Sequence, residues 1–283
     1  MTIGLSTYAF FWERSARVSH PIDLFGMIER TAGAGADVLQ ICDYQDLQTM
    51  SQDQMARVRS AAEKAGIALE LGVRGIRARQ LEHFLDLANA LGAHLVRTML
   101  TAGSDRPGVS EAVPELRRMV PRFAADGVTL ALETYEQVPT NDLLAIVDQI
   151  GDPHVGICLD VANVVARLEN PDEVIDRAAD HVVNLHVKDF RFEREAGLVG
   201  FSLTGCLLGT GQLDLDHLYQ RVRPGPRKIS QIVEHWLPWQ ADEATTVQTE
   251  REWTAHALAT IRAMPGRASG GGRSALTSSC GGP

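Results

Sequence analysis

An α/β fold closed into an eight-stranded parallel barrel, the (β/α)8 or TIM barrel, is what this sequence predicts, and three observations predict it. First, a helical stretch ending in glycine and followed by a short, wholly apolar run recurs along the chain: AGAGADVLQI (32–41), EKAGIALELG (63–72), ALGAHLVRT (90–98) and AADGVTLALE (124–133). Glycine suits the left-handed residue just past a helix, and a run that is apolar at every position reads as a strand buried on both faces. Second, eight such runs alternate with amphipathic stretches over about 260 residues, a repeat number that favours closure into a barrel over an open sheet. Third, no GxGxxG follows the first run, which removes the main support for a dinucleotide-binding sheet.

Taken in order, the first strand lies near 2–8, leading into the aromatic run YAFFW, and the first helix near 22–34. A second strand at 37–42 follows AGAGAD, with its helix at 51–65. The glycine of KAG announces a third strand at 68–72 and a helix at 78–91; that of ALGA announces a fourth strand at 94–99 and a helix at 111–126. DGVTLALE supplies the fifth strand at 128–133, followed by a helix at 140–150. VGICLD gives the sixth strand at 155–160, with a helix at 171–180, and VVNLHV the seventh at 182–187, with a helix at 214–222. SQIVEH is the eighth strand at 230–235, and the last helix covers 247–263. The connection 191–212 is longer than the others, and loops of that length inside a compact domain are usually lids or binding loops. One catalytic domain, 1–263, therefore accounts for the periodic part. The Gly/Ser-rich tail 264–283, which carries Cys280, is expected to be disordered.

Composition narrows the function classes. At 283 residues with 45% apolar and 22% charged, the chain is an ordinary globular protein. Its 27 bases against 36 acids, a net −9, disfavour binding to a nucleic-acid backbone, which depends on Lys and Arg. Cys42, Cys158, Cys206 and Cys280 are widely spaced without a CxxC, so neither a disulfide framework nor a zinc ribbon is expected, and a reducing cytoplasm fits best. No basic stretch precedes the short apolar segment near the start, and no run of about 18 apolar residues occurs, so neither a signal peptide nor a membrane span is expected.

A barrel of this kind carries its active site at the C-terminal ends of its strands. There the sequence puts Glu133 (LALETYE), Asp160 (GICLDVAN), His186 (VNLHVKD) and Glu234 (QIVEHW) on the fifth to eighth strands. Singly, such residues more often cap a helix, pair with an arginine or simply pack. Together, three carboxylates on neighbouring strand ends repel one another unless a cation lies among them, so the set is read as ligands of one divalent metal. An O₃N donor set suits Mn²⁺, Mg²⁺ or Co²⁺ better than a structural zinc site, with catalytic Zn²⁺ as a further choice. Lys188 shares a face with His186 by strand alternation; it reads either as a donor to a substrate oxygen or as the salt-bridge partner of a rim carboxylate. Asp189 is expected to orient Lys188 or a neighbouring loop. Glu70 and Arg97 are placed at the ends of strands three and four, on the same rim. Arg97 suits bidentate capture of a substrate carboxylate, although pairing with Glu70 is the simpler expectation. Tyr8, Trp12 and Trp236 are expected to wall the pocket, where rings stack on a sugar, while Phe10 and Trp239 pack loops or an oligomer interface and His235 faces away.

The motifs ALE (131–133), CLD (158–160), HVKD (186–189), VEH (233–235) and LGTGQLD (208–214) resemble the xylose isomerase-like TIM barrel superfamily, which holds sugar isomerases and epimerases, inosose dehydratases and repair endonucleases. The resemblance covers residues 1 to 263 and implies one divalent ion, Mn²⁺ first, on Glu133, Asp160, His186 and Glu234. It further implies that Glu133 and Glu234 are catalytic, moving a proton beside a polarised carbonyl by way of an enediolate, with Lys188 at the oxyanion. Ketose 3-epimerases of the group carry a histidine shortly after the strand-six Asp, where this chain has Asn163, an amide that can hold a substrate hydroxyl but cannot transfer a proton at neutral pH. The activity implied is a metal-dependent isomerase or epimerase of a small keto sugar. The alternative is a lyase, since HVKD, GFSLTGCLLGTG and VEHWLPWQ are similar to a branch of 3-oxo-isoapionate decarboxylase-like and C-glycoside-cleaving enzymes. A non-catalytic barrel subunit is the remote alternative. The partners implied are a small carbohydrate and a second copy of the chain, or a different subunit, with no nucleic acid and no membrane. A repair endonuclease is disfavoured by the net −9 and by a single well-placed histidine, His186.

Overall fold

Eight strands close the barrel in the computed structural model, which describes residues 1–195, 197 and 199–264. They are β1 (Ile3–Ser6), β2 (Val38–Cys42), β3 (Ala68–Arg74), β4 (Leu95–Met99), β5 (Thr129–Glu133), β6 (Val155–Asp160), β7 (Val182–Val187) and β10 (Ser230–Val233). All pair in parallel, and β10 closes the ring between β7 and β1. Two more strands, β8 (Asp189–Arg194) and β9 (Phe201–Cys206), form a separate antiparallel hairpin. The helices are α1 (Leu24–Gly33), α2 (Gln52–Ala65), α3 (Ala78–Leu91), α4 (Val109–Ala125), α5 (Thr140–Ile150), α6 (Val161–Ala166), α7 (Pro171–Ala178), α8 (Leu215–Val222), α9 (Pro224–Arg227) and α10 (Glu243–Ala263). Left-handed Gly66, Gly92 and Gly151 end α2, α3 and α5, turning the chain toward the next strand.

The outward face of most barrel strands is aliphatic. Leu5, Leu39, Ile41, Leu69, Leu71, Leu130, Leu132, Ile157, Leu159, Leu185 and Val187 join a single buried core with the helices. The alternate residues face the barrel axis, and many of them are polar: Ser6, Gln40, Glu70, Arg97, Glu133, Asp160, Asn184, His186 and Ser230 are all buried. Barrel interiors are ordinarily filled by branched aliphatic side chains. A polar interior has to find its hydrogen bonds within itself, and this one bonds across the axis. Gln40 of β2 donates to Asn184 of β7 (3.0 Å), and Ser230 of β10 donates to Glu70 of β3 (2.6 Å). Gly72 provides the space, because a Cβ there would lie 2.3 Å from Cys42 Sγ and 3.2 Å from Arg97 Cζ.

Several boundaries differ from expectation for identifiable reasons. β1 ends at Ser6 rather than 8, because Ser6 Oγ accepts the Tyr8 N–H (2.9 Å) and bends the chain into a 3-10 turn. β3 continues to Arg74, two residues past its expected end, so Glu70 lies inside the strand. The connection 191–212 is not a continuous loop. Phe190, Phe192, Leu203 and Phe201 share one hairpin face and Arg191, Glu193, Ser202 and Thr204 the other, a period of two interrupted by the turn. The helix α6 went unpredicted because VANVVA is rich in β-branched residues; Asp160 caps it by accepting the Asn163 N–H (3.2 Å). α10 starts four residues earlier than expected, where Asp242 accepts the Thr245 N–H (2.7 Å). The expected disordered tail, Cys280 included, lies outside the described residues from 265 onward. Among the described residues no helix is long and apolar enough to cross a membrane.

Asp189 organises the loop that returns from the hairpin. Its carboxylate accepts the N–H groups of Phe190 (2.8 Å), Gly209 (2.9 Å), Gly211 (2.8 Å) and Leu213 (3.0 Å). Of its two expected roles, orienting the loop is the one observed. Gly211 permits the approach, since a Cβ there would stand 2.3 Å from Asp189 Oδ1. Hydrogen bonds to a charged group contribute about 1.5–3 kcal/mol each, less when several share one acceptor. Asp189→Ala should therefore lower the unfolding free energy by about 3 kcal/mol, read as a lower urea midpoint; an unchanged midpoint would show that the loop holds without the carboxylate.

Candidate active site

Consecutive members of the ring, β5, β6, β7 and β10, bring Glu133, Asp160, His186 and Glu234 to one arc of the barrel mouth. Glu133 and Asp160 end their strands, His186 is the penultimate residue of β7, and Glu234 follows β10, its N–H still donating to Val187 O (3.3 Å). His186 Nδ1 is the centre of the group, 3.5 Å from Glu133 Oε1, 3.4 Å from Asp160 Oδ2 and 3.5 Å from Glu234 Oε2. Single donor atoms of Glu133, Asp160 and His186 all lie within 4.8 Å of one another, and the three residues are buried. Donors bound to one ion at about 2.0–2.2 Å stand about 3–3.5 Å apart, so the spacings around Nδ1 suit an ion held by Glu133, Asp160 and His186, whereas Glu234, the fourth predicted ligand, approaches Nδ1 but is not part of that mutually close set. Two oxygens reinforce the fit. Glu234 Oε1 is buried without a hydrogen-bond partner, and Glu133 Oε2 has only the charge of Arg97, whose Nε is 3.0 Å away but not aligned to donate.

Two protein cations enter this cluster, and of the two readings of Lys188 the salt bridge to rim carboxylates is the one observed. Lys188 Nζ stands 2.6 Å from Asp160 Oδ2 and 3.0 Å from Glu234 Oε2. Arg97 lies beside Glu133 and donates through Nη1 to Val73 O (3.2 Å). Burial opposes ionisation of Glu234, yet His186, Lys188 and Arg97 together bring its carboxyl down to about 2. Burial likewise opposes the charge on Lys188, but Asp160, Glu234 and Glu133 hold its ammonium above the usual lysine range. Burial opposes a charge on His186 too, but Cys158, Glu234 and Asp160 hold its imidazole above the usual histidine range, so without a metal the three carboxylates are matched by Lys188, Arg97 and the imidazolium, and replacing the His186 proton by a divalent ion adds one positive charge. A site left one charge positive by such an ion suits an anionic substrate.

The remaining candidates separate. Glu70 is not at the rim: it is fully buried in the barrel interior and bonded to Gln40, Asn184 and Ser230. Arg97 pairs with Glu133 rather than with Glu70, and at 1% exposure it presents no free fork to a substrate carboxylate. Past Glu70 and Gly72 on the axial face, β3 presents Arg74 at the mouth, a residue hidden from sequence reasoning because the strand was ended at 72. Arg74 clasps Asp43 (Nε to Oδ1 3.0 Å, Nη2 to Oδ2 2.7 Å), and the Tyr8 hydroxyl donates to the same carboxylate (2.5 Å). Trp12 clasps the first loop to the last, its indole N–H donating to Leu237 O (2.7 Å) and its ring meeting Trp239 edge-on at 5.2 Å. Trp236 does approach the cluster, its ring centroid lying 4.7 Å from Lys188 Nζ. Asn163 is buried and donates to Glu133 Oε1 (3.1 Å) and Thr134 O (3.2 Å), so it steadies Glu133. Phe10 is packed in the core, and His235 points outward to Thr254 of α10 (3.0 Å).

The model of the family described as "Xylose isomerase-like TIM barrel" matches residues 28–262. The chain belongs to this family. Within it, the chain is 51% identical over 258 residues to a 3-oxo-isoapionate decarboxylase of Pectobacterium atrosepticum, an alignment covering 91% of this chain and 94% of that one. A crystal structure of D-psicose 3-epimerase in the presence of D-fructose matches with a TM-score of 0.72 at 15% identity, covering 94% of this chain and 100% of the other. A xylose isomerase-like TIM barrel protein from Mycobacterium smegmatis in complex with magnesium matches with a TM-score of 0.68 at 16% identity, covering 93% and 98%. At such identities the solved structures speak for the fold alone. Membership of the xylose isomerase-like TIM barrel family makes this an enzyme fold with a buried Glu/Asp/His group able to hold a metal.

Removing one partner from a buried ion cluster costs about 3–5 kcal/mol, because it strands the remaining charge. Lys188→Met should therefore destabilise the metal-free protein by about that amount, and saturating Mg²⁺ should raise its melting temperature more than that of the wild type. Equal Mg²⁺ stabilisation of both proteins would show that ammonium and ion do not compensate the same carboxylates.

Proposed function

We propose that this protein is a divalent-metal-dependent decarboxylase of a 3-oxo sugar acid. The observation that carries the reading is the 51% identity to a 3-oxo-isoapionate decarboxylase over nearly the full length of both chains. The charge balance of the site supports it, since the cluster with a divalent ion would favour an anionic substrate. Isomerisation and epimerisation of a keto sugar use the same enediolate, and the 51% identity to a decarboxylase supports the lyase over them.

In a 3-oxo acid the ketone lies β to the carboxylate. Cleavage of the bond between the carboxylate carbon and its neighbour releases CO₂ and leaves the electron pair on the remaining fragment as an enediolate when that neighbour bears a hydroxyl. One proton must then be added to carbon. Glu133, Asp160, His186 and Glu234 would hold the ion, proposed as Mn²⁺ with Mg²⁺, Co²⁺ and Zn²⁺ as alternatives, and when bound it supplies Lewis-acid stabilisation of the developing negative charge. Lys188 is positioned between Asp160 and Glu234 to donate to the enediolate oxygen. Glu133 and Glu234 are the outer residues of the arc and are proposed to carry the proton to carbon. Arg97 and Asn163 hold Glu133, while Trp236 covers Lys188.

Incubated with Mn²⁺ and a 3-oxo sugar acid in D₂O, the enzyme should release CO₂ and leave one deuteron on the product carbon. Chelation should abolish the release. Glu133→Gln and Asp160→Asn should lose bound metal by elemental analysis and at least about 100-fold in rate. Interconversion of ketoses without CO₂ release from any 3-oxo acid would sink the reading, and full metal occupancy in His186→Ala combined with Glu234→Gln would sink the ligand set.

A further inference from the structure

Glu70 is a fully buried carboxylate that the proposed chemistry does not use, and its surroundings give it a direction. It accepts from Gln40 Nε2 (3.0 Å) and Asn184 Nδ2 (3.1 Å) through Oε2 and from Ser230 Oγ (2.6 Å) through Oε1. His94 Nε2 lies 3.7 Å from Oε1. An ionised carboxylate can only accept, so the neighbours that touch it must turn their donors inward. For Gln40 this decides which way its amide points. Its NH₂ faces Glu70 and Asn184 Oδ1 (3.0 Å), leaving Oε1 to face the other way.

That oxygen lies 2.9 Å from His186 Nε2, and the Cys42 thiol donates to it as well (3.3 Å). An acceptor at that distance requires the imidazole hydrogen on Nε2. Nδ1 is the nitrogen surrounded by oxygens of Glu133, Asp160 and Glu234 at 3.4–3.5 Å, so it is the ring atom an ion at that convergence would take in exchange for a proton. Polarity therefore passes in one direction: a carboxylate sets an amide, and the amide sets an imidazole.

We propose that Glu70 and Gln40 are positioning residues that act through His186. They hold its ring with hydrogen on Nε2 and Nδ1 toward the carboxylates, so the affinity of the metal site is set from the layer beneath it. The inference rests on the reading that the cluster binds a divalent ion. Both residues are fully buried within the barrel, and the contact that reaches the site is the one from Gln40 Oε1 to His186. Hydrogen-bond partners of metal-bound histidines typically change metal affinity by about 10–100-fold when removed.

The test titrates metal-free wild type, Glu70→Gln, Gln40→Met and Ser230→Ala with Mn²⁺, following free ion by electron paramagnetic resonance. It also records the ¹⁵N-histidine spectrum of the Mg²⁺-loaded proteins. Glu70→Gln and Gln40→Met should bind Mn²⁺ about 10–100-fold more weakly. Ser230→Ala removes a donor from Glu70 without freeing the Gln40 amide and should retain wild-type affinity, whereas a merely structural role would weaken all three. In wild type the His186 Nε2 proton should be resolved and slow to exchange, a measurement that needs no variant to fold, and Glu70→Gln should lose it. Tight Mn²⁺ binding by Gln40→Met, or a Mn²⁺-binding wild type whose Nε2 proton exchanges freely, overturns the positioning role. Wild type that takes up no Mn²⁺ overturns the metal reading itself, a separate outcome.

Discussion

The constraint on which the rest of this structure depends is the compensation of charge inside a closed barrel. Glu133, Asp160 and Glu234 project into a space that water does not solvate freely, where protein cations and hydrogen-bond donors stand against them. Arg97 reaches Glu133 along the axial face of β4, and Lys188 reaches Asp160 and Glu234 from just past β7. From this follow features that look unrelated in sequence. Gly72 lacks a side chain because Cys42 Sγ and, beside it, the Arg97 guanidinium occupy the space, and Gln40, Asn184 and Ser230 stand where a conventional barrel has Val or Ile.

The parallel barrel was legible because an apolar run buried on both faces after a helix-ending glycine is a strong local signal. The four strand-end residues were legible for the same reason: each interrupts a run that would otherwise bury it unpaired. What escaped was anything set by reach rather than by position. The pairing of Arg97 with Glu133 depends on how far a guanidinium extends along the neighbouring strand, from its own level beside Ala131 to that of Glu133, which spacing along the chain does not encode. A strand two residues longer than expected moved Glu70 from the rim to the interior and put Arg74 in its place, since alternation turns a small boundary error into a change of layer. The hairpin of β8 and β9 escaped because its period of two runs over two short halves that are split by a turn.

The mouth of the barrel divides into two unlike arcs. On β5 to β10 stand the carboxylates and the imidazole. Opposite them, Tyr8, Asp43 and Arg74 form an internally neutralised group in which Asp43 adopts a left-handed backbone conformation (φ 49°), unfavourable for a residue with a Cβ. The same arc is tied to the end of the chain. Glu250 of α10 accepts the N–H groups of Trp12 and Glu13 (2.9 Å each), and Trp12 in turn bonds to the loop after Glu234. The first and last loops are thereby fixed to each other beside the site, and the barrel closes where β1 meets β10.

Asn163 finally bears on which enediolate chemistry such a site can favour. An epimerisation must take a proton from one face of a carbon and return one to the other, so it depends on two groups that both exchange protons. Decarboxylation generates the same electron pair by releasing CO₂, with no proton abstracted, and needs only one delivered. An amide beside Glu133 is no handicap to the second process. It holds the carboxylate by a single donor hydrogen bond of 3.1 Å and cannot compete for the proton. On the proposed reading, the difference between an isomerase and a lyase on this barrel lies less in the arc proposed to hold the metal, which would serve both, than in how many of the groups around Glu133 and Glu234 can exchange a proton.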